Sequence, residues 1–430
     1  MSDNMTELLG AIQHPATIIE ALLTAVNERH VSFNFTFQTY YEPEPVTYQL
    51  YCECWRADND LYCRVSRDAA SMPANIVNLS RPLRLEPVTI AKPWGEEIWY
   101  TGIEARGVCT VEGIPLPWLI ALSPRWVLGG EYRDPILLKI LAPLKQARYG
   151  DLYLELHELK IEVYVVTQID SEAWPDGKGQ IRFGFNPAMI DAFPTEAAFR
   201  QAYLACVNDY QRIRQRIDAQ LDDIRSAQGY LPNAVVAPDI LEQWRQQLDM
   251  GLNTEEAEQL ATMNTFTALH DVSVGSVIQV KPFTPHSLQH GVRVIEFQSP
   301  HYERFILSFA QKVLTQSHWD TDTAIARAHL HAEMAPTLVS ITRQEGCAVD
   351  QIVNFAEFEV HSMRLEPGAR HTLNIVQYAV LMGVDGTADV GQHTIKSEQA
   401  VLLTALSGRQ TLLNQSDQDA VVLLAMPVLK

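Results

Sequence analysis

The chain has no run of about twenty apolar residues, so no segment is expected to span a membrane. Its opening, MSDNMTELLG, has no basic stretch leading into an apolar one, so no secretion signal is expected. Positive charge is scarce: 33 Lys and Arg stand against 52 Asp and Glu, a formal charge of −19. So acidic a chain is a poor partner for nucleic acid or an anionic membrane, and an anionic small molecule would need a local cationic patch. Cysteine is also sparse, with six in 430 residues. Cys52, Cys54 and Cys63 form the only close group, and no second pair completes a zinc site. Cysteine usage of this kind fits a reducing, cytoplasmic location.

The composition, 47% hydrophobic over 430 residues, allows two or three domains with sizeable cores. Residues 5–28 read as helix, with Pro15 breaking or kinking it. VSFNFTFQTYY and VTYQLYCECW alternate as strands, and RADND is a turn before LYCRVS. Residues 1–84 thus form a small α+β unit. From residue 85 to 166, Pro and Gly punctuate short strands in the manner of a barrel or sandwich. Tyr210, Ile213, Ile217, Leu221 and Ile224 step along a long helix that Gly229 ends. Two further helices follow, with Asp239 and Asn253 as expected N-caps. This helical insertion, residues 195–262, is expected to pack on the outside of a sheet domain. Strands resume at GSVIQV and GVRVIEFQ, and residues 331–430 are strand-rich again. The expected fold is mainly β. It comprises a barrel from 85–194 and 263–330 and a second, degenerate barrel from 331–430.

One strand carries unusual chemistry. In DLYLELHELKIEVYVV, residues 151–166, Leu152, Leu154 and Leu156 share one face. Tyr153, Glu155 and His157 share the other. A short turn at Glu158–Lys160 would bring an antiparallel strand back and set Glu162 opposite the pair. His286, delivered at a bend by Pro282 and Pro285, is the expected fourth ligand. Two imidazoles and two carboxylates on rigid strands suit zinc, and also Fe, Mn or Co.

The spacing Glu155-x-His157-x₄-Glu162 resembles the first metal motif of cupins. GSVIQVKPFTPHSL resembles the segment that carries the last metal histidine in type I mannose-6-phosphate isomerases. EFQSPHYERF is similar to their segment ending in a catalytic arginine, here Arg304. PILLKIL is similar to the strand that puts a lysine near the substrate, here Lys139. AKPWGEEIW resembles the PWG signature of sugar-phosphate-isomerase cupins. The five segments also follow the family's order, with the helical insertion before His286.

The resemblance implies paired cupin jelly rolls and a metal site of Glu155, His157, Glu162 and His286. It implies an isomerase interconverting mannose 6-phosphate and fructose 6-phosphate through a cis-enediolate. Arg304 would stabilise developing negative charge, Glu296 would be the general base and Lys139 would meet a substrate oxygen or phosphate. A small sugar phosphate would be the partner. The chain departs from the family in three places: Glu155 replaces Gln, Phe283 replaces Gly, and the Glu296–Arg304 segment is two residues shorter. The last two favour a sugar-binding or regulatory protein on the same scaffold, and an oxygenase of the same fold would need a more open ligand set. Trp94 and Gly95 are expected to shape a turn, His290 to sit exposed at a hairpin, and His270 and His301 carry no assignment. No His-x-His precedes EPGARHTL, so the second barrel is expected to be metal-free.

Overall fold

In the computed structural model, Pro15 opens a helix: His14 is non-helical and the helix runs Pro15–Thr24 with Pro15 in its first turn, the break rather than the kink of the two expected alternatives. A proline fits there because the first-turn amide has no intrahelical acceptor. The structure describes residues 14–25, 29–42, 44–104, 107–130, 134–332, 334 and 338–428. Most of the expected helical segment before Pro15, and its last residues, lie outside the described residues.

Strands His30–Gln38, Thr47–Ala57, Asp60–Ser66 and Val77–Asn78 form an antiparallel sheet. Strict alternation buries Val31, Phe33, Phe35 and Phe37 on one face. Asp58 and Asn59, with φ of 50° and 66°, make the two-residue turn that the RADND reading required. Cys52 and Cys54 share a face, their sulfurs 3.3 Å apart, and burial raises both thiol pKa values.

The chain divides into two compact units that differ from the expected domains. One comprises residues 1–88, 99–138 and 337–430. The other comprises residues 89–98 and 139–336. The N-terminal segment is therefore not separate. Strand Leu83–Arg84 pairs with Ala400–Leu403 and joins a seven-stranded sheet built mostly from residues 339–427. That sheet shares a core with a four-stranded one: Met363, Leu381, Val401 and Leu424 pack with Leu373, Val390, Ile395 and Leu412.

In the second unit a six-stranded sheet runs in the order Val277–Val280, Glu162–Ile169, Val292–Gln298, Leu137–Pro143, Gly95–Trp99, Val88–Lys92. A five-stranded sheet runs Thr267–Val272, Gly179–Phe185, His286–Leu288, Leu154–Leu156, Phe305–Ser308. Tyr164, Val166, Ile278 and Val294 of the first pack against Ile181, Phe183, Leu288 and Ile306 of the second. Each such fully buried side chain contributes about 1.5–3 kcal/mol. The two sheets form a sandwich, and among the described residues its edges do not close into a barrel.

The insertion forms helices Glu196–Ala227, Pro238–Arg245 and Leu252–Asn264. Phe199, Tyr203, Val207 and Tyr210 of the first cover Leu154, Leu156 and Phe185 on the outer face of the five-stranded sheet, as expected. The caps differ from expectation. Ala237 and Gly251 occupy the N-cap positions, while Asp239 lies in the first turn. Asn253 lies inside its helix, with its side chain bonded to Arg245.

Candidate metal centre

Strand Leu154–Leu156 is short, and it faces two ways. Leu154 and Leu156 enter the core beneath the long helix, which turns Glu155 toward the inside of the sandwich. His157 follows and is fully buried. Glu155 is the direct cross-strand partner of His286, so the two side chains are neighbours on one face. Ligand atoms of Glu155, His157 and His286 all lie within 4.8 Å of one another.

Glu162 reaches this group by a route different from the expected hairpin. The chain bends at residues 158–159 and crosses to the other sheet, where Glu162 begins strand Glu162–Ile169. Its carboxylate therefore approaches from the facing layer. It lies 3.5 Å from His157 Nε2 and 3.3 Å from His286 Nε2. The expectation of a paired antiparallel return is corrected: the apolar run after Glu162 is buried and belongs to the six-stranded sheet, paired with Val277–Val280 and Val292–Gln298.

Both imidazoles are oriented by backbone. His157 Nδ1 lies 3.0 Å from the carbonyl of Glu303, and His286 Nδ1 lies 3.0 Å from that of Thr284. Donation from Nδ1 leaves each Nε2 a lone-pair acceptor. Both Nε2 atoms are buried and have no hydrogen-bond partner among the described residues. Burial and the neighbouring Lys160 cation push His157 down to about 4, so it is neutral at pH 7. Burial opposes the charge on Glu162, but Lys160 and His157 hold its carboxyl well below the usual range. His157, Lys160 and Arg304 likewise outweigh burial at Glu155. Two imidazoles whose Nδ1 atoms are held by backbone carbonyls, beside two carboxylates, are the donor set a divalent cation requires, so the residues present fit a metal.

Beside this group, Lys139 Nζ lies 3.2 Å from Glu296 and 4.0 Å from Glu97, which also pairs with Lys92 at 2.9 Å. Burial works against the Lys139 charge, yet Glu296, Glu97, Glu162 and Glu155 together hold it protonated. Burial, and then the Glu162 charge, raise Glu296 well above the normal carboxyl range. Arg304 lies with its guanidinium 4.8 Å from the Tyr153 ring centroid and bonds Thr315. It is close enough to lower the Glu155 pKa.

Three other expectations resolve. Trp94 is buried, and Gly95 has φ +145° with Ala142 O only 2.2 Å from where a Cβ would stand, so the backbone passes there only as glycine. Phe283 has φ +61°, a left-handed conformation that suits glycine, and its N–H donates to the carbonyl of His157 at 2.7 Å. His290 is not exposed: it stacks on Trp174 and bonds Asp151 at 2.7 Å because Gly291 turns the chain back over that pair. His270 is a partly buried residue of strand Thr267–Val272, and His301 Nδ1 lies 3.0 Å from the hydroxyl of Ser299.

Sequence reasoning missed Lys160, Tyr164 and Glu303. Lys160 Nζ lies 2.5 Å from Glu162, and Tyr164 donates to the other oxygen of that carboxylate at 2.8 Å. Glu303 accepts from the amides of Leu159 and Lys160 and so pins the bend between His157 and Glu162. A lysine two residues before a buried carboxylate was a readable signal. Glu303 had none, because its partners are backbone amides about 140 positions away.

The sequence matches no protein-family model and no curated protein. Solved structures do resemble the fold. Mannose 6-phosphate isomerase from Bacillus subtilis is 14% identical with a TM-score of 0.56, over 80% of this chain and 99% of that one. The apo form of the Salmonella typhimurium enzyme is 11% identical with a TM-score of 0.57, over 81% and 100%. A mannose 6-phosphate isomerase bound with zinc and yttrium gives 12%, a TM-score of 0.54, and coverage of 81% and 100%. The likeness is one of fold: a mainly β architecture of the kind found in the phosphomannose isomerases, here with a Glu–His–His group able to hold a metal.

Proposed function

We propose that this protein is a metal-dependent aldose–ketose isomerase of a phosphorylated sugar, with mannose 6-phosphate and fructose 6-phosphate as the favoured pair. We read its two sandwiches as cupin jelly rolls, the first of them catalytic. The observation that carries the reading is the pair of buried Nε2 lone pairs, His157 and His286, aimed at one point beside Glu155 and Glu162. These four residues would hold the cation, zinc by preference. When bound, the cation supplies Lewis-acid stabilisation of negative charge on adjacent sugar oxygens.

The remaining work falls to the chain's own residues. Glu296, once ionised beside the Lys139 ammonium at 3.2 Å, would take the proton from C2 and return it at C1 of a cis-enediolate. Lys139, kept protonated at 3.2 Å, orients that carboxyl and offers positive charge to a substrate oxygen. Arg304, half-buried over Tyr153, adds fixed positive charge toward the developing oxyanion or the phosphate. With Lys160 they are the positive groups a sugar phosphate would meet, the two lysines already balanced by Glu296 and Glu162, and Arg304 the one left to face the phosphate.

The test is a coupled assay with mannose 6-phosphate on wild type, His157→Ala, Arg304→Ala and Glu296→Gln. Each variant is expected to lose activity, Glu296→Gln by about 10²–10⁴-fold in kcat. Equal rates in all four would overturn the reading. A second reading, a non-catalytic sugar-binding protein, draws on Phe283, a left-handed residue three positions before His286 where the resemblance expects glycine. Saturable binding of the sugar phosphate without turnover would select it.

A further inference from the structure

The C-terminal sandwich carries a second group of donor side chains. Glu359 and His361 lie on strand Phe358–Leu365, in the same Glu-x-His spacing as Glu155 and His157. The sequence alone leaves their direction open. The register settles it. His361 stands opposite Leu424 and Glu359 opposite Met426, and both partners belong to the inner core between the two sheets. On its other side His361 stands opposite Gln351, two residues beyond the core residue Val349. His371 comes from the facing four-stranded sheet. It lies opposite the core residue Leu412 and two residues before the core residue Leu373, so it too points inward.

Polar side chains on the apolar inner face of a sandwich need a reason, because each displaces core packing. These four gather where the core ends. The Glu359 carboxylate accepts from Gln351 at 2.5 Å and lies 3.4 Å from His361 Nε2. That Nε2 atom is buried and makes no hydrogen bond among the described residues. His371 is half-buried and near enough to His361 to interact electrostatically. Two imidazoles and a carboxylate, with an amide orienting the carboxylate, form a ligand set for a borderline divalent cation.

We propose that Glu359, His361 and His371 form a second divalent-metal site in the C-terminal sandwich, with Gln351 as the positioning residue of Glu359. It replaces the expectation that this half of the chain is metal-free, which looked for His-x-His and passed over Glu-x-His. The donors of the first site already lie within 4.8 Å of one another, whereas those of the second are not so gathered. A cation there would also require the His371 ring to move toward Glu359 and His361, and weaker binding than at the first site is the expected result.

The full-length protein, stripped with a chelator, is titrated with Zn(II) and with Co(II). Bound metal is counted by mass spectrometry after equilibrium dialysis, and circular dichroism checks each variant's fold. Wild type is expected to hold two ions. His361→Ala, His371→Ala and His157→Ala are each expected to hold one, and His157→Ala/His361→Ala none. Because His371 lies on the other sheet and is half-exposed, its variant still decides the matter if His361→Ala misfolds. A wild-type count, of one or two, that neither His361→Ala nor His371→Ala lowers would overturn the proposal. Loss of one ion in His361→Ala but none in His157→Ala would instead overturn the reading of the first site and leave the second standing.

Discussion

A single carboxylate illustrates how partners decide protonation in this molecule. Asp151, at the start of the segment that carries the metal motif, accepts from His290 Nδ1 at 2.7 Å, from the His290 amide at 3.0 Å and from the Arg148 amide at 3.0 Å. Burial opposes its charge, but these donors win and its pKa is lowered. A carboxyl lowered on folding stabilises the native state above its unfolded pKa of about 3.9 and loses that contribution as pH falls through the folded value. Wild type is therefore expected to exceed Asp151→Asn in stability at pH 6, with the gap closing below about pH 4. Urea denaturation at stepped pH measures the gap, and one that widens on acidification would contradict the assignment. At this scale the sequence was most legible where a residue's neighbours in the chain are also its partners. Glu155 and His157 could be read from alternation alone. Glu303 could not, and the His290 half of the Asp151 contacts could not, since those partners lie 143 and 139 positions away.

At the scale of elements, the helical insertion is tied together by a buried carboxylate. Glu256 on helix Leu252–Asn264 bonds Arg214 of the long helix and Arg245 of the helix between, and Arg148 approaches at 3.1 Å. All three guanidinium groups depend on that one acid, although Asp218 also bonds Arg214. Glu256→Ala would leave buried positive charge uncompensated and is expected to cost about 3–5 kcal/mol. Glu256→Gln should cost less, because an amide oxygen still accepts from an arginine. Chemical denaturation would separate the two, and equal losses would mean that shape rather than charge matters. The helices themselves were legible from period and charge. Their caps were not: Ala237 precedes Pro238 and Gly251 is left-handed, so both helices begin on backbone geometry rather than a side-chain acceptor. The sheet change at residues 158–161 was equally hidden, because a bend that switches layers has the same local composition as one that closes a hairpin.

At the scale of the molecule, the proposed metal would link binding to stability. A cation bound at the first site by the folded chain alone adds about 2.7 kcal/mol when present at one hundred times its dissociation constant. Chelated protein should therefore melt lower than zinc-loaded protein, and His157→Ala should lose most of that difference. Identical melting of wild type with and without zinc would argue against a site at these residues. Domain division was the least legible feature. Composition marks residues 1–84 as separate, whereas pairing places Leu83–Arg84 beside Val401–Leu402.

That last pairing sets an order of events during synthesis. The ribosome releases residues 139–336, nearly all of one unit, while the strand that must receive Leu83 is still unmade. Domains tend to fold as units as they emerge. The interior unit can therefore mature first, whereas the short strand Leu83–Arg84 must wait, its backbone unpaired, until residues 401 and 402 have been made some three hundred positions later.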